Sequence, residues 1–251
     1  MTGENLDTWL ATSYENLRRR EYELITRLLD LLPKIDNLKD EQVGQVRDAL
    51  FHADHPFLMV FVGPFNSGKS SIINALLGQE ALLPVGPVPT TERISILRWG
   101  EESQHMDSGG DVETVFYPSP LLKRVSFVDT PGLESVFQKH EETTRKFLHR
   151  SDVVMLVMLA TQAMTASNLE YLQALRQYGK KVIILVNQAD LLSPEEAESV
   201  REYVLEQSNT RMGTRPEVWL VSAKQGLEAK HNSTDGQLDE ATWEGSGLHH
   251  I

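Results

Sequence analysis

The sequence lacks several features that would each assign it to a class of protein. Its 251 residues include no cysteine, which excludes a disulfide scaffold and a metal site built from thiolates. It has no apolar run of about 18 residues, so no stretch predicts a membrane-spanning helix. Only 24 lysines and arginines face 36 aspartates and glutamates, and the net charge of −12 argues against a protein that coats nucleic acid or an anionic membrane. The same charge leads us to expect no nucleic-acid partner. Residues 1–5 do not resemble a signal peptide, so we expect a cytoplasmic protein.

One stretch has a binding chemistry that can be read from its residue types. Residues 63–70 follow the pattern G-x-x-x-x-G-K-S, the phosphate-binding loop of nucleoside-triphosphate-binding proteins. Gly63 and Gly68 let the backbone curl so that successive N–H groups point at phosphate oxygens. Lys69 would place its charge between the β- and γ-phosphates, and the Ser70 hydroxyl would ligate Mg²⁺. We also assign to nucleotide binding the rest of the loop and the residue after it, namely Pro64, Phe65, Asn66, Ser67 and Ser71.

The flanks of this loop distinguish it from an ordinary glycine-containing turn. Residues 57–62 form an apolar run of strand length, as the motif requires before the loop. Residues 71–77 have helical spacing, and Gly78 is a plausible helix end. Because chance rarely supplies both flanks, we interpret the stretch as a phosphate-binding loop.

The chain before this loop predicts helices. Residues 4–32 have a leucine at every seventh position from Leu10 to Leu31, and a second helical stretch runs from about 35 to 52. The pair would either cover an edge of the following domain or form half of a helical bundle. We therefore divide the chain into an N-terminal helical segment, 1–55, and a nucleotide-binding domain, 56–251.

Strands and helices alternate through the second part at βαβ spacing, which predicts an α/β fold with a mostly parallel sheet and helices on both faces. We expect residues 112–117 to be the hairpin partner of strand 93–99, residues 101–111 to be a surface turn, and residues 243–251 to open a further helix that is cut short. The other predicted strands are 124–128, 152–159, 181–186 and 217–221, and the other predicted helices are 139–149, 166–178 and one that starts at Ser193.

Two further segments have the residue types of a Mg²⁺ and γ-phosphate site. Asp129 in the sequence D-T-P-G can hold Mg²⁺ through water, and the Gly132 N–H can contact the γ-phosphate. Thr90 and Thr91 are candidates for the hydroxyl that completes Mg²⁺ coordination in the triphosphate state. We favour Thr91 slightly, although an ordinary loop threonine is an equal alternative for either residue.

The sequence N-Q-A-D at residues 187–190 predicts the nucleotide base. The Asp190 carboxylate can accept two hydrogen bonds from the N1–H and 2-amino groups of guanine, a pair that adenine does not offer. Asn187 matches the usual N-K-x-D pattern, while Gln188 stands where lysine is usual and can only partly replace its stem against the base. Ser222, Ala223 and Lys224, after the last predicted strand, would contact the base through backbone N–H groups and a lysine stem.

The order and spacing of these motifs over residues 57–224 resemble the G domain of translation-factor-type GTPases. They resemble more narrowly the dynamin superfamily, in particular bacterial dynamin-like proteins and their mitofusin relatives. The narrower features are the P-T-T loop after a helix that ends in Leu-Leu-Gly and the aliphatic residue after D-T-P-G. The N-terminal helices look like the helical segment that precedes the G domain in that superfamily.

The resemblance implies a function. It implies GTP binding and hydrolysis with Mg²⁺, self-association of G domains across the nucleotide face, and membrane remodelling by the full-length protein. Dynamin-like proteins normally continue into a helical stalk and a lipid-binding tip, which we expect to be absent from this chain. Membrane contact would then need regions outside this chain. We expect the protein to be cytoplasmic, or peripheral to a membrane.

Two positions bear on the hydrolytic mechanism that the resemblance implies. Leu133 stands where Ras-like GTPases have the glutamine that orients the attacking water, so another group must do this. Asn66 stands where potassium-activated GTPases keep an asparagine that coordinates K⁺, or here Na⁺, in place of an arginine finger. A loop-capping asparagine is an equal alternative. The catalytic candidates are Asn66, Lys69 and Thr91.

Three other functions fit parts of the pattern. The chain could be a GTP-dependent interaction module with little hydrolysis, because Leu133 does not orient water. It could be a potassium-dependent GTPase of the ribosome-assembly or tRNA-modification type, although the acidic charge counts against RNA binding. The ATP-using membrane-remodelling relatives of dynamin share the P-T-T loop, and Asp190 argues for GTP instead.

Overall fold

The structure, a computed structural model, describes residues 20, 23–32, 56–86, 93–132, 147–232 and 238–251. The chain divides into two units, Met1–Pro56 and Phe57–Ile251. In the first unit residues 23–31 are helical, and Leu24, Leu28 and Leu31 are exposed. The rest of the predicted helices 4–32 and 35–52 lies outside the described residues, so the helical segment 1–55 stays a prediction.

The second unit is built on one eight-stranded sheet with the strand order β3-β4-β2-β5-β1-β6-β7-β8. Five of the described pairings are parallel, namely β1–β5, β1–β6, β6–β7, β7–β8 and β2–β4. Only β2–β5 and β3–β4 are antiparallel among the pairings described. The strands are β1 (Phe57–Val62), β2 (Ile94–Trp99), β3 (Gln104–Asp107), β4 (Val112–Tyr117), β5 (Val125–Asp129), β6 (Val153–Leu159), β7 (Lys181–Asn187) and β8 (Glu217–Val221).

The edge formed by β2, β3 and β4 differs from the prediction. Strand β4 is not the hairpin partner of β2, because the two run parallel. Its hairpin partner is β3, which lies within the stretch 101–111 that we predicted to be a surface turn. Gly109 and Gly110, with φ of 87° and 62°, form the turn between β3 and β4. All four residues of β3 are exposed, so this edge strand has no buried face to generate an alternating apolar pattern.

Helices cover both faces of the sheet, as predicted. On one face Leu172 and Val204 pack with Val60, and on the other Ile72 packs with Phe61. The central strand β6 is buried along most of its length, which explains its continuous apolar run. The helices of this unit with described bounds are α1 (Lys69–Leu77), α2 (Ala166–Arg176), α3 (Pro194–Met212), α4 (Ala223–His231) and α5 (Glu240–Gly245).

Only residues 243–245 of the predicted further helix, 243–251, are in an α-helix, and that helix starts earlier and ends there. Helix α5 begins at Glu240 and ends at Gly245, and a 3₁₀ turn follows at Leu248–His250. Gly247 has a left-handed backbone with φ of 69°, which no α-helix accommodates. Among the described residues, no helix combines the length and the apolar character needed to cross a membrane.

Candidate nucleotide-binding site

A cavity of about 730 Å³ lies beyond the carboxyl ends of β1, β5, β7 and β8, where an open α/β sheet places its ligand. Segments more than 150 residues apart in sequence, such as 65–71 and 222–224, meet there. The predicted site residues that line it are Phe65, Asn66, Gly68, Lys69, Ser70, Ser71, Gly132, Asn187, Gln188, Asp190, Ser222, Ala223 and Lys224. Of the other predicted residues, Gly63, Pro64 and Ser67 belong to the same loop, and Asp129 lies beside Ser70.

The loop between β1 and α1 has a backbone that most residue types do not adopt. Gly63 and Gly68 have φ of 148° and 94°, and Asn66 has φ of 58°. A Cβ at Gly63 would lie 2.1 Å from the Val157 carbonyl oxygen. Asparagine is among the few non-glycine residues that tolerate the left-handed region, so the backbone alone is one reason for Asn66.

Lys69 begins α1 and is buried under this loop. Its Nζ donates hydrogen bonds to the carbonyl oxygens of Gly63, at 3.1 Å, and Pro64, at 3.0 Å. Burial lowers the pKa of the ammonium to about 8, against the opposing attraction of the Asp129 carboxylate. The charge is therefore held inside the loop that would surround a phosphate.

Asp129 and Ser70 form a donor set that suits a hard cation. The Ser70 Oγ donates to Asp129 Oδ2, and the other carboxylate oxygen, Oδ1, is buried without a hydrogen-bond partner. Burial raises the pKa of Asp129 to about 6, while nearby Lys69 opposes the shift. A hydroxyl and a carboxylate are ligands that Mg²⁺ accepts, and a cation there would satisfy the orphaned oxygen. The residues present therefore fit Mg²⁺.

Asn187 connects the phosphate loop to the last segment of the site. Its Nδ2 donates to the Ser67 carbonyl oxygen at 3.0 Å, and its Oδ1 accepts from the Ala223 N–H at 3.1 Å. A Cβ at Gly68 would lie 2.1 Å from the same Nδ2. The amide of Asn187 thus fixes the separation of two loops that would contact opposite ends of a nucleotide.

Asp190 presents a carboxylate to the cavity. It lies in a 3₁₀ turn, Ala189–Leu191, that follows Gln188 with its left-handed φ of 63°. Its Oδ1 is buried and has no hydrogen-bond partner. A buried acceptor without a donor costs about 1–3 kcal/mol, and a rotation of the side chain that turned this oxygen toward N–H groups of a ligand would recover it.

Two close approaches hold the D-T-P-G segment against the phosphate loop. The Thr130 hydroxyl is fully buried and donates to the Phe61 carbonyl oxygen at 2.8 Å. A Cβ at Gly132 would lie 2.8 Å from the Cα of Phe65, so only glycine fits there without movement. Thr130 therefore joins the segment to the end of β1, and Gly132 lies directly against the phosphate loop.

Some residues of the site were not found from the sequence. Asn74 on α1 bonds through Nδ2 and Oδ1 to the backbone O and N of Leu83, each at 2.9 Å, and so fixes the chain that leads from α1 toward Thr90. A polar residue within the apolar face of α1 was the available signal. Glu80, Pro84, Val85, Gly86, Thr130, Leu159, Leu191 and Leu227 also line the cavity. Thr90, Thr91 and Leu133 lie outside the described residues, so the assignments to them stay predictions.

The chain is similar in sequence to known GTPases. A family model described as "50S ribosome-binding GTPase" matches residues 58–188. The probable transmembrane GTPase FZO-like, chloroplastic, of Arabidopsis thaliana is 36% identical over 217 residues, which cover 84% of this chain and 24% of that protein. Dynamin-like protein 2 of Campylobacter jejuni is 29% identical over 186 residues, covering 64% of this chain and 30% of that protein.

Among solved structures, the fold matches that of a bacterial dynamin. The structure of an oligomerised bacterial dynamin pair, described as a mechanism for long-range sensing and tethering of membranes, matches with a TM-score of 0.65 and 20% identity. The match covers 94% of this chain and 42% of that one. The chain thus spans less than half the length of each of these three proteins.

Proposed function

We propose that GTP hydrolysis by this chain is stimulated by self-association and serves membrane remodelling. The premise is that the chain belongs to the GTPase family described by the matched model and has a dynamin-like G domain. One observation carries the site assignment. The phosphate loop, D-T-P-G, N-Q-A-D and Ser222–Lys224 surround one cavity, and Asp190 is among the residues that line it.

Each group has a proposed task in that cavity. Backbone N–H groups of the loop and Lys69 bind the β- and γ-phosphates, because the loop is curled and the ammonium is already held within it. Asp190 accepts from guanine, and Ser222–Lys224 cover the base. Ser70 and Asp129 hold Mg²⁺, with Thr91 as the proposed third side-chain ligand. The metal would neutralise charge that develops on the phosphates.

Association through the nucleotide face is supported by the side chains around the mouth of the cavity. Phe65, Val85 and Leu191 line the cavity, and their exposed fractions are 38%, 50% and 63%, respectively. Apolar side chains exposed together around one opening favour contact with another surface. We propose that a second copy covers this rim and thereby excludes water from the cavity.

The test is GTP turnover per protein molecule, measured against protein concentration. We expect the rate to rise by about tenfold or more as copies associate, since groups supplied in trans contribute about 10³-fold or more in other GTPases. Sedimentation with a transition-state analogue should show dimers under the same conditions. Turnover that stays constant while dimers form would contradict the stimulation. Tight GTP binding without phosphate release would favour the interaction-module alternative.

A second prediction concerns the monovalent cation. We propose that Asn66 coordinates K⁺ or Na⁺, and we expect Asn66→Gly to remove the response of turnover to these cations while GDP affinity is unchanged. Glycine keeps the left-handed backbone at this position, so the variant removes the amide without straining the loop. The measurement is GTP turnover in potassium against sodium buffer at one ionic strength.

Gln188→Gly is the matched control for this experiment. Gln188 also has a positive φ and lines the same cavity, but it has no proposed contact with the cation. Its variant should keep the cation response of the unaltered protein. If Asn66→Gly keeps it too, Asn66 is present for its backbone conformation alone.

A further inference from the structure

The C-terminal segment, residues 239–251, is bonded to the tripeptide that we assign to the nucleotide base. The Ser222 N–H donates to the Ser246 carbonyl oxygen at 2.8 Å. Ser222 is the residue at which β8 gives way to α4, and its Oγ caps that helix by accepting from the Gln225 N–H. The position of Ser222 therefore depends on a residue 24 positions later in the chain.

Ser246 is rigidly held. It is fully buried, and its Oγ donates to the Trp243 carbonyl oxygen at 2.6 Å and accepts from the Leu248 N–H at 3.2 Å. Its own N–H donates to the Thr242 carbonyl oxygen at 2.9 Å. Since every polar atom of the residue is satisfied, its carbonyl oxygen is a fixed acceptor for Ser222.

The residues after Ser246 are pressed against the end of the sheet. A Cβ at Gly247 would lie 2.1 Å from the Leu220 carbonyl oxygen, and the φ of 69° also disfavours any side chain. A Cβ at Gly226 in α4 would lie 2.3 Å from Leu248, which is buried. The two glycines thus allow the C-terminal segment to approach β8 and α4 closely.

The same tripeptide is held from its other side by the nucleotide site. The Ala223 N–H donates to Asn187 Oδ1, and Asn187 bonds to the phosphate loop. The N–H groups of Ser222 and Ala223 are therefore bonded to different parts of the chain, and these two are not free to contact the base as the sequence predicted. One bond belongs to the site and the other to the C-terminal segment.

We propose that the C-terminal segment sets the position of the base-contacting tripeptide, with Ser246 and Gly247 as positioning residues for guanine binding. The inference rests on the proposed assignment of Ser222–Lys224 to the base. A displacement of the segment shifts Ser222 and its neighbours, and so weakens binding of the base while the phosphate loop is retained. The segment is thus a place from which a change elsewhere can alter nucleotide affinity.

The test compares Gly247→Ala with Gly245→Ala. The two variants make the same substitution two residues apart, but a Cβ at Gly245 meets nothing within 4 Å. Helix α5 is anchored separately, because the Lys230 ammonium lies 4.9 Å from the centre of the Trp243 ring. Calorimetry measures binding of GDP and of inorganic tripolyphosphate, which has no base, to each variant in the presence of Mg²⁺.

We expect Gly247→Ala to lower GDP affinity by about tenfold or more, and tripolyphosphate affinity by less than about twofold. Gly245→Ala should leave both unchanged. An equal loss of affinity for GDP and for tripolyphosphate in Gly247→Ala would indicate general damage to the fold and overturn the proposal. The proposal would also fail if Gly247→Ala bound GDP as tightly as Gly245→Ala does. If Gly247→Ala does not fold, Ser246→Ala, which removes the two Oγ bonds, is measured with the same probes.

Hydrogen exchange separates this proposal from the proposed function. In the unliganded protein, Gly247→Ala should speed exchange in residues 217–224 and leave residues 63–70 unchanged. The exchange experiment needs no nucleotide, so it tests the role of the C-terminal segment even if the unaltered protein does not bind GDP. Failure of the unaltered protein to bind GDP would overturn the proposed function and not this inference. Unchanged exchange at Ser222 would show that Ser246 does not hold it, and the proposal would fail.

Discussion

Gly68→Ala is expected to lower the affinity for GTP and GDP by about 100-fold or more. The new Cβ would lie 2.1 Å from Asn187 Nδ2, and the φ of 94° is strained for alanine. The distance cannot be relieved at little cost, because Asn187 bonds both the Ser67 carbonyl and the Ala223 N–H. Moving its amide would disturb the phosphate loop together with Ser222–Lys224, the tripeptide that we assign to the base.

Gly179→Ala separates backbone strain from this collision. Gly179 also has a positive φ, of 61°, but a Cβ there meets nothing within 4 Å. We expect that variant to lose some stability and to bind GDP like the unaltered protein, as measured by thermal unfolding and calorimetry. If Gly68→Ala binds GDP equally well, Asn187 is free to move and does not connect the two loops as described.

The local parts of the fold were predictable because the residue pattern determines them directly. The run 57–62 is β1 with the predicted bounds, and Ser193 is the N-cap of α3 and forms a capping box with Glu196. The pairing of β4 with β3 as its hairpin partner and with β2 as its parallel neighbour was not predictable in this way. Strand β3 is short and fully exposed, so its sequence has no apolar periodicity, and β4 inserts between β2 and β3 by a pairing that is not local.

The candidate site shows a similar division. Motifs with fixed spacing identified the residues that line the cavity, because phosphate and guanine each demand particular groups. The residues that position them were missed. Ser246 acts through its carbonyl oxygen and Thr130 through a bond to the Phe61 carbonyl, and neither contact follows from residue type. Only the folded chain shows which backbone groups such residues meet.

The structure also changed the interpretation of Asn66. From the sequence, a cation ligand and a loop-capping residue were equal alternatives. Its left-handed backbone supplies a reason for asparagine that needs no cation, which is why the test replaces it with glycine and not alanine. An alanine variant would combine the loss of the amide with strain in the phosphate loop.

Asp190→Ala is expected to remove the preference for GTP over ATP, by lowering GTP affinity about 10³-fold or more and leaving ATP affinity unchanged. The carboxylate has a buried oxygen with no hydrogen-bond partner, and guanine offers it two N–H donors whereas adenine offers none in that arrangement. Inosine triphosphate keeps N1–H and lacks the 2-amino group, so the unaltered protein should bind it with intermediate affinity. Competition titrations of the three nucleotides measure this order.

Two comparisons make the base assignment decisive. Asp190→Asn keeps the shape of the side chain but replaces one acceptor with a donor, so it should lose GTP affinity like alanine does. Asp107→Ala removes an exposed carboxylate that is bonded to Arg93, and it should leave the affinities for GTP and ATP unchanged. A preference for GTP that persists in both Asp190 variants would mean that guanine is selected elsewhere. A preference of the unaltered protein for ATP would instead place the chain with the ATP-using relatives of dynamin.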